Sequence, residues 1–246
     1  MKLELHPPSW SAAALTRPDV RTLLDTAEAL RRAGTGHPPL HGKHLALVCQ
    51  SPPPQLATLL HAAAAAMGAS LSDVEPGVLR LDDPQQGPPA ARMLGRLYDA
   101  IVLDSEDAAS LHRLALQAAR PVLGLSQRPT SPLHLLAELL AMQQAAGRPA
   151  RPLRLCVADD AASPWALAWA QLATLTALEV CCQRPAGRQA RFGADIQMVD
   201  FIIEPASPHA ADGRPLLHAA ADSAPLTGTT QHLQRLLQAM LLLALR

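Results

Sequence analysis

The chain has 246 residues, a formal net charge of zero and a pI near 7.2, and 49% of its residues are hydrophobic. This length accommodates one large domain or two small ones with an ample core. The lack of net positive charge and an aromatic content of only 2% argue against binding of nucleic acid or of anionic membranes. No amino-terminal signal pattern and no apolar run long enough to span a bilayer are found, so a cytoplasmic protein is expected.

Each of the four cysteines lies in or beside a short apolar run of the kind that forms a buried strand: Cys49, Cys156, Cys181 and Cys182. This placement predicts reduced thiols rather than a disulfide framework. A redox role for the adjacent Cys181 and Cys182 is the alternative. Neighbouring strand residues point to opposite faces of a sheet, which disfavours a bond between these two.

Apolar periodicity predicts helices and strands that alternate along the chain. The first half carries helices over 18–32, 54–68, 90–98, 108–119 and 132–146, and strands over 45–49, 70–74, 99–103 and 121–125. The second half carries strands over 153–158, 178–182 and 199–203, and helices over 164–176 and 229–245. Turn residues mark loops over 79–89 and 205–213. The pattern restarts after a hinge at 147–152, so it predicts two α/β units with parallel sheets.

The loop after the first predicted strand is the candidate ligand site, because ligands of open parallel sheets bind at the carboxyl ends of strands. It carries Gln50, Ser51, three prolines and Gln55, and the chain has no Lys or Arg between Cys49 and Arg80. Three consecutive prolines end the strand, and Pro54 suits the first turn of the following helix.

Between residues 40 and 68 the chain runs L-H-G-K-H-L-A-L-V-C-Q, then the proline loop, then a helix ending A-A-A-A-A-M-G. This stretch resembles the aspartate/ornithine carbamoyltransferase family, whose phrase is roughly L-x-G-K-x-L-A-L-x-F-x-x-P-S-T-R-T-R-x-S-F-E-x-A-A-x-x-L-G. Residues 92–102, 121–143, 156–160 and the last helix resemble further family segments. The resemblance is nearly end to end, but family members are usually longer. The missing length lies between Cys182 and Val199 and around 206–226.

The resemblance implies two doubly wound parallel-sheet domains with a trimmed second domain. The first, a carbamoyl-phosphate-binding-like domain, is expected over 1–147 together with the terminal helix at 229–246, which packs back on it in the family. The second, a reduced amino-acid-binding-like domain, is expected over 148–228.

The positions that carry the family's chemistry hold other residues here. The family's S-T-R-T-R falls on Pro53, Pro54, Gln55, Leu56 and Ala57. Asp104 stands where the family has a second phosphate-binding arginine, and H-P-x-Q falls on Ser131, Pro132, Leu133 and His134. If a ligand cleft persists, the residues expected to line it are Ser51, Pro53, Pro54, Gln55, Asp104, Ser131 and His134.

These replacements predict a catalytically inactive pseudoenzyme with an assembly or regulatory role, either as a homotrimer or in a hetero-oligomer with an active relative. The alternative is a divergent carbamoyltransferase or small-molecule-binding protein that uses the same cleft for a different ligand. No cofactor or metal is expected, because no dinucleotide-binding, P-loop or zinc-binding spacing is found.

Three further groups of residues allow a functional and a structural interpretation. His37, His41 and His44 form either a metal cluster or a polar approach to the first strand, and the second interpretation is favoured. Asp159 and Asp160 follow a strand, but no glycine-rich motif precedes them, so solvated loop carboxylates are expected. His134 is expected either to bind an anion at the start of its helix or, as the favoured interpretation, to be a surface histidine.

Overall fold

The computed structural model describes fourteen stretches of the chain: residues 9–11, 14–33, 38–49, 54–75, 77, 81, 83–105, 107–126, 128–147, 152–183, 199–204, 216–220, 222–226 and 228–245. They divide into two compact units, one of residues 1–128 with 234–246 and the other of residues 129–233. The second unit therefore includes the helix at 132–146, which the sequence analysis assigned to the first domain.

The described residues form seven helices. Their bounds are α1 Arg17–Ala33, α2 Pro54–Ala66, α3 Gly87–Leu97, α4 Ala108–Ala118, α5 Pro132–Ala146, α6 Pro164–Leu175 and α7 Thr229–Leu245. Several starts follow standard capping chemistry. The Asp107 side chain accepts hydrogen bonds from the Ala109 and Ser110 amides of α4, and the Ser163 side chain accepts one from the Ala166 amide of α6. A proline opens α5.

The described residues also form ten strands. Their bounds are β1 Ser9–Ser11, β2 His44–Val48, β3 Ser70–Val74, β4 Ala100–Asp104, β5 Val122–Leu125, β6 Leu153–Val157, β7 Leu178–Cys182, β8 Phe201–Glu204, β9 Leu216–Ala219 and β10 Asp222–Pro225. The central strands are almost wholly buried, as expected for strands covered on both faces.

The first unit contains a parallel five-stranded sheet in the order β1-β5-β4-β2-β3. Its core packs α3 and α4 against the sheet, through Ala91 and Leu94 of α3 and Leu111 and Ala115 of α4. The predicted glycine stop of α2 is confirmed, since Gly68 has a φ of 81° that an L side chain rarely adopts.

The second unit contains a mixed sheet in the order β10-β9-β8-β6-β7. β6 pairs in parallel with β7 and β8, whereas β8, β9 and β10 pair antiparallel. The prediction of two mostly parallel α/β sheets is confirmed, and the antiparallel hairpin at one edge is an addition to it.

Most predicted elements agree with the structure to within one to three residues. The sequence analysis missed β1, β9 and β10, which have three or four residues each. Such short strands carry too few residues for a clear alternation. The loop predicted at 205–213 lies outside the described residues.

Candidate functional site

The order of strands in the first sheet creates a crevice between β2 and β4. The chain leaves β2 toward β3 on one side, and leaves β4 toward β5 on the other side. In doubly wound sheets the ligand-binding crevice lies at such a reversal, outside the carboxyl ends of the two strands. The residues that end β2 and β4 are therefore the first candidates for a site.

Cys49 and Asp104 meet at this crevice. Cys49 directly follows β2 and is half-buried, and Asp104 is the exposed last residue of β4. The Cys49 Sγ donates a hydrogen bond to the Asp104 Oδ2 at 3.6 Å. The crevice thus presents a carboxylate and a thiol, a pair suited to neutral or cationic groups rather than to a dianion.

A small pocket lies at the same place and is mostly apolar. Its described lining is five aliphatic side chains with the thiol and the carboxylate: Leu47, Leu56, Ala57, Leu60, Leu125, Cys49 and Asp104. Water-sized molecules can occupy only about 10 Å³ of it, which is room for roughly one water. None of these lining residues is a cation. The described part of this pocket is thus small and offers no positive charge.

Two of the lining residues, Leu56 and Ala57, belong to the first turns of α2. The family resemblance aligns them with the last T-R of the phosphate-binding phrase. Gln55, aligned with the other arginine, is exposed, and α2 begins at Pro54 as predicted. Ser51 and Pro53 lie outside the described residues. Of the predicted site residues that the structure describes, only Asp104 is in the pocket lining.

Ser131 and His134 belong to the second unit, at the start of α5. The Ser131 backbone carbonyl accepts the amides of His134 and Leu135, at 2.9 and 3.1 Å. Pro132 has no amide hydrogen, and the His134 amide is already bonded to Ser131. Among the first three residues of α5, Leu133 is therefore the one whose amide does not donate to Ser131. This leaves little capacity for an anion at the helix start.

The interpretation of His134 as a surface histidine is wrong, because the side chain is only 6% exposed. The cause is the composition of α5, which is apolar on nearly every side, and a helix of that kind is buried all round. Ser131 is also buried, and its Oγ has no hydrogen-bond partner in the described part of the chain.

The sequence analysis did not single out Cys49, Leu56, Leu60 or Leu125 as site residues, and it also overlooked Glu138. Glu138 lies one turn after His134 in α5 and has a buried carboxylate oxygen. A charged residue within an apolar helix was the signal that would have drawn attention to it. The pocket residues gave no comparable signal, since aliphatic side chains occupy most of the core.

The carboxyl ends of β6 and β8 form the corresponding reversal in the second sheet. Asp159 and Asp160 follow β6 there, as predicted. The Asp159 Oδ1 accepts the Asp160 amide at 2.7 Å, and the Asp160 Oδ1 accepts the Ala162 amide at 2.8 Å. These bonds organise the turn that leads into α6, which agrees with a structural role for both carboxylates.

Of the histidines near β2, His44 contacts the edge strand β3. The His44 Nδ1 and the Ser70 Oγ lie 2.7 Å apart and link the starts of β2 and β3. His41 is exposed, and His37 is outside the described residues.

Across the stretches that the structure describes, no three or more His, Cys, Asp or Glu side chains are placed to hold a metal ion. No helix in the same stretches is long and apolar enough to cross a membrane.

Known proteins similar to this chain are ornithine carbamoyltransferases, whereas no family model matches it. The catabolic ornithine carbamoyltransferase of Burkholderia mallei is 29% identical over 146 residues, which are 58% of this chain and 44% of that protein. The ornithine carbamoyltransferase of Rhizobium johnstonii is 26% identical over 138 residues, 55% of this chain and 45% of that protein. In both cases the aligned region spans less than half of the relative.

The structural similarity extends over nearly the whole chain. The ornithine carbamoyltransferase of Thermus thermophilus superposes with a TM-score of 0.70 at 20% identity, covering 98% of this chain and 99% of that one. The chain is related to the aspartate/ornithine carbamoyltransferase family. The enzyme of Pyrococcus furiosus gives a TM-score of 0.65 at 15% identity, covering 95% and 96%. The predicted resemblance and the carbamoyltransferase-like fold are confirmed.

Proposed function

We propose that this chain is a carbamoyltransferase-like protein that does not catalyse carbamoyl transfer and that serves in assembly or regulation. The observation that carries the proposal is the composition of the pocket between β2 and β4. Leu56 and Ala57 stand there in place of the family's threonine and arginine, and Asp104 contributes a carboxylate where the family resemblance places a cation.

The free energy lost with the arginine contacts favours a protein that does not catalyse carbamoyl transfer. A hydrogen bond to a charged group contributes about 1.5–3 kcal/mol, so loss of three arginines from a dianion site removes on the order of 5–9 kcal/mol. That is a factor of roughly 10³ to 10⁶ in affinity. Carbamoyl transfer depends on holding a phosphate leaving group and a developing oxyanion, and a site without cations stabilises neither.

An assembly role is supported by the outer surface of the first unit. Three large apolar side chains are more than two-fifths exposed on the packed helices α3 and α4: Met93, Leu97 and Leu116. Such side chains are available to a partner. The partner is a second copy of the chain, in a homotrimer, or an active carbamoyltransferase relative in a hetero-oligomer.

The alternative is a small-molecule-binding protein or divergent transferase that uses the family's cleft for another ligand. The exposed Asp104 carboxylate with its Cys49 neighbour favours a neutral or cationic ligand. The small volume of the pocket favours the pseudoenzyme.

Thermal unfolding with and without carbamoyl phosphate tests the proposal, together with molecular mass by light scattering. A ligand at 100 times its dissociation constant stabilises by about 2.7 kcal/mol, which raises the unfolding midpoint measurably. We expect no shift for this chain with millimolar carbamoyl phosphate, and a mass above that of the monomer. An active ornithine carbamoyltransferase serves as the positive control.

The double variant Ala57→Arg/Asp104→Arg tests whether the missing positive charges explain the absence of binding, and Asp104→Asn is its neutral control. If they do, carbamoyl phosphate raises the unfolding midpoint of the double variant and leaves that of Asp104→Asn unchanged. A clear midpoint shift in the unmodified chain, or citrulline formation from ornithine, contradicts the pseudoenzyme. A monomeric mass with or without an active relative contradicts the assembly role.

A further inference from the structure

Two cysteines lie side by side on neighbouring strands of the second sheet. Cys156 of β6 is the register partner of Cys181 of β7, and the two strands are parallel. Register partners project from the same face of a sheet. Neighbouring strands lie about 4.7–4.9 Å apart, which is within the Cα separation of about 4.4–6.8 Å that a disulfide spans.

Side chains on this face do reach across the two strands. Arg154 and Glu179 are also register partners and occupy the same face two residues earlier. The Arg154 Nε lies 2.7 Å from the Glu179 Oε2. Two residues further along the strands, Cys181 is the register partner of Cys156, and its Sγ donates a hydrogen bond across to the Leu155 carbonyl of β6 at 3.6 Å.

The two thiols differ in their access to solvent. Cys181 is exposed on β7, which is the edge strand of the sheet, while Cys156 is completely buried. A reagent in solution therefore meets Cys181 first. The other exposed thiol, Cys182, projects from the opposite face, and partial burial, followed by the charges of Cys181, Asp159 and Asp160, raises its pKa.

We propose that Cys181 is a thiol–disulfide exchange site whose resolving thiol is Cys156, and that its reagent is a low-molecular-weight disulfide such as glutathione disulfide. In the first step the Cys181 thiolate attacks one sulfur of the reagent. A mixed disulfide forms, the reagent's own disulfide bond breaks, and one glutathione thiol leaves with the proton.

In the second step Cys156 loses its proton and attacks the Cys181 sulfur. The bond between Cys156 and Cys181 forms, the mixed disulfide breaks, and a second glutathione thiol leaves. Two protein thiols are oxidised, and one disulfide is reduced to two thiols, so the exchange needs no other oxidant.

The environment of Cys156 sets the order of these steps. Burial, followed by the charge of Cys181, raises the pKa of the Cys156 thiol to about 12. Little thiolate is present at neutral pH, so the second step is the slow one and the mixed disulfide at Cys181 accumulates before it is resolved. Raising the pH accelerates closure of the bridge.

The bridge fastens the edge strand β7 to the central strand β6 and closes the loop that contains α6. Such a closed loop restricts the unfolded chain, so oxidation stabilises the second unit. The unfolding midpoint of the oxidised protein is expected to rise by several degrees and to return to its original value after reduction with dithiothreitol.

Peptide mapping after incubation of the folded full chain with glutathione disulfide tests the site. Free thiols are blocked with N-ethylmaleimide at several times, and the digest is analysed by mass spectrometry. We expect glutathione on Cys181 at early times and a cross-linked pair of peptides containing Cys156 and Cys181 later. The cross-linked product lacks two hydrogen atoms relative to the two thiol peptides.

Cys181→Ser and Cys182→Ser are the matched variants, because both side chains are exposed and neither substitution disturbs the core. The bridge and the rise in midpoint should persist in Cys182→Ser and disappear in Cys181→Ser. The proposal is overturned if Cys181 stays fully alkylated by N-ethylmaleimide, if the product joins Cys181 to Cys182, or if the mixed disulfide never resolves.

Discussion

At the residue scale, Asp99 joins two strands at the amino-terminal edge of the first sheet. Its Oδ2 accepts the His44 amide at 2.9 Å, and its own amide donates to the His44 carbonyl at 2.7 Å. Its Oδ1 lies 3.2 Å from the Lys43 Nζ. The hydrogen bond from the His44 amide, aided by Lys43, holds the pKa of the Asp99 carboxyl below its usual range despite partial burial.

Asp99→Ala is expected to lower the free energy of unfolding by about 1–2 kcal/mol at pH 7, since it removes hydrogen bonds to a charged, partly buried group. The folded-state pKa is depressed, so the stabilisation is present above the unfolded-state pKa of about 3.9 and is lost as the pH falls through the lower folded value. Urea unfolding of both proteins between pH 7 and the lowest pH at which they stay folded measures the difference.

Asp99→Asn keeps an acceptor oxygen without the charge. Its free energy of unfolding at pH 7 should therefore lie between those of the unmodified protein and Asp99→Ala. Asp25→Ala is the surface control, because its side chain is 76% exposed and lies 3.8 Å from Arg21. Its effect should stay within about 0.5 kcal/mol. A stability difference for Asp99→Ala that does not shrink with falling pH contradicts the assignment to the ionised carboxylate.

At the residue scale the sequence also placed Asp104 at the end of a strand, where the structure has it, because strand position is a local property. It did not identify Cys49 as its partner, since the two residues are 55 positions apart and meet only through pairing of β2 with β4. The surface placement of His134 was wrong for a similar reason. Burial of a polar residue depends on what packs around the helix.

At the scale of elements, α3 and α4 pack closely because Gly95 has no side chain. A Cβ at Gly95 would lie 1.9 Å from the Ala118 carbonyl oxygen, which belongs to rigid helix backbone. The carbonyl of Gly95 also accepts a hydrogen bond from the Arg120 Nε at 2.9 Å. The two helices cannot separate without disturbing the core beneath Leu94 and Ala115.

Gly95→Ala therefore distinguishes packing from helix propensity. Propensity alone predicts stabilisation by up to about 1 kcal/mol, because alanine is the better helix former. Overpacking costs about 1–3 kcal/mol, and here the clash is with backbone, so we expect net destabilisation. The urea midpoint measures it, with Arg92→Ala at an exposed position of α3 as the control. An unchanged or higher midpoint for Gly95→Ala contradicts the close approach of the two helices.

At the scale of the whole molecule, the last thirteen residues of the sequence are part of the first unit. Residues 234–246 belong with residues 1–128, although more than a hundred residues separate them in sequence. The buried side of α7 is aliphatic, and Leu236, Leu237 and Leu241 have no exposed surface. The stability of the first unit therefore depends on the last helix.

Leu237→Ala is expected to lower the free energy of unfolding by about 2–5 kcal/mol, as for other fully buried leucines. Hydrogen exchange followed by mass spectrometry should show faster exchange in β2 and β4 of the first unit than in β6 of the second. Gln231→Ala, at an exposed position of the same helix, is the control. Equal acceleration in both units, or acceleration only in β6, contradicts the assignment of this segment to the first unit.

The amino-acid sequence by itself determined the α/β class and the bounds of most elements. Each of these depends on residue type and on spacing along the chain. The tertiary structure decided that β2 and β4 are neighbours, that leucines leave the crevice room for about one water, and that Cys156 meets Cys181. These features depend on which distant strands pair and in what register, and a local pattern does not encode that choice.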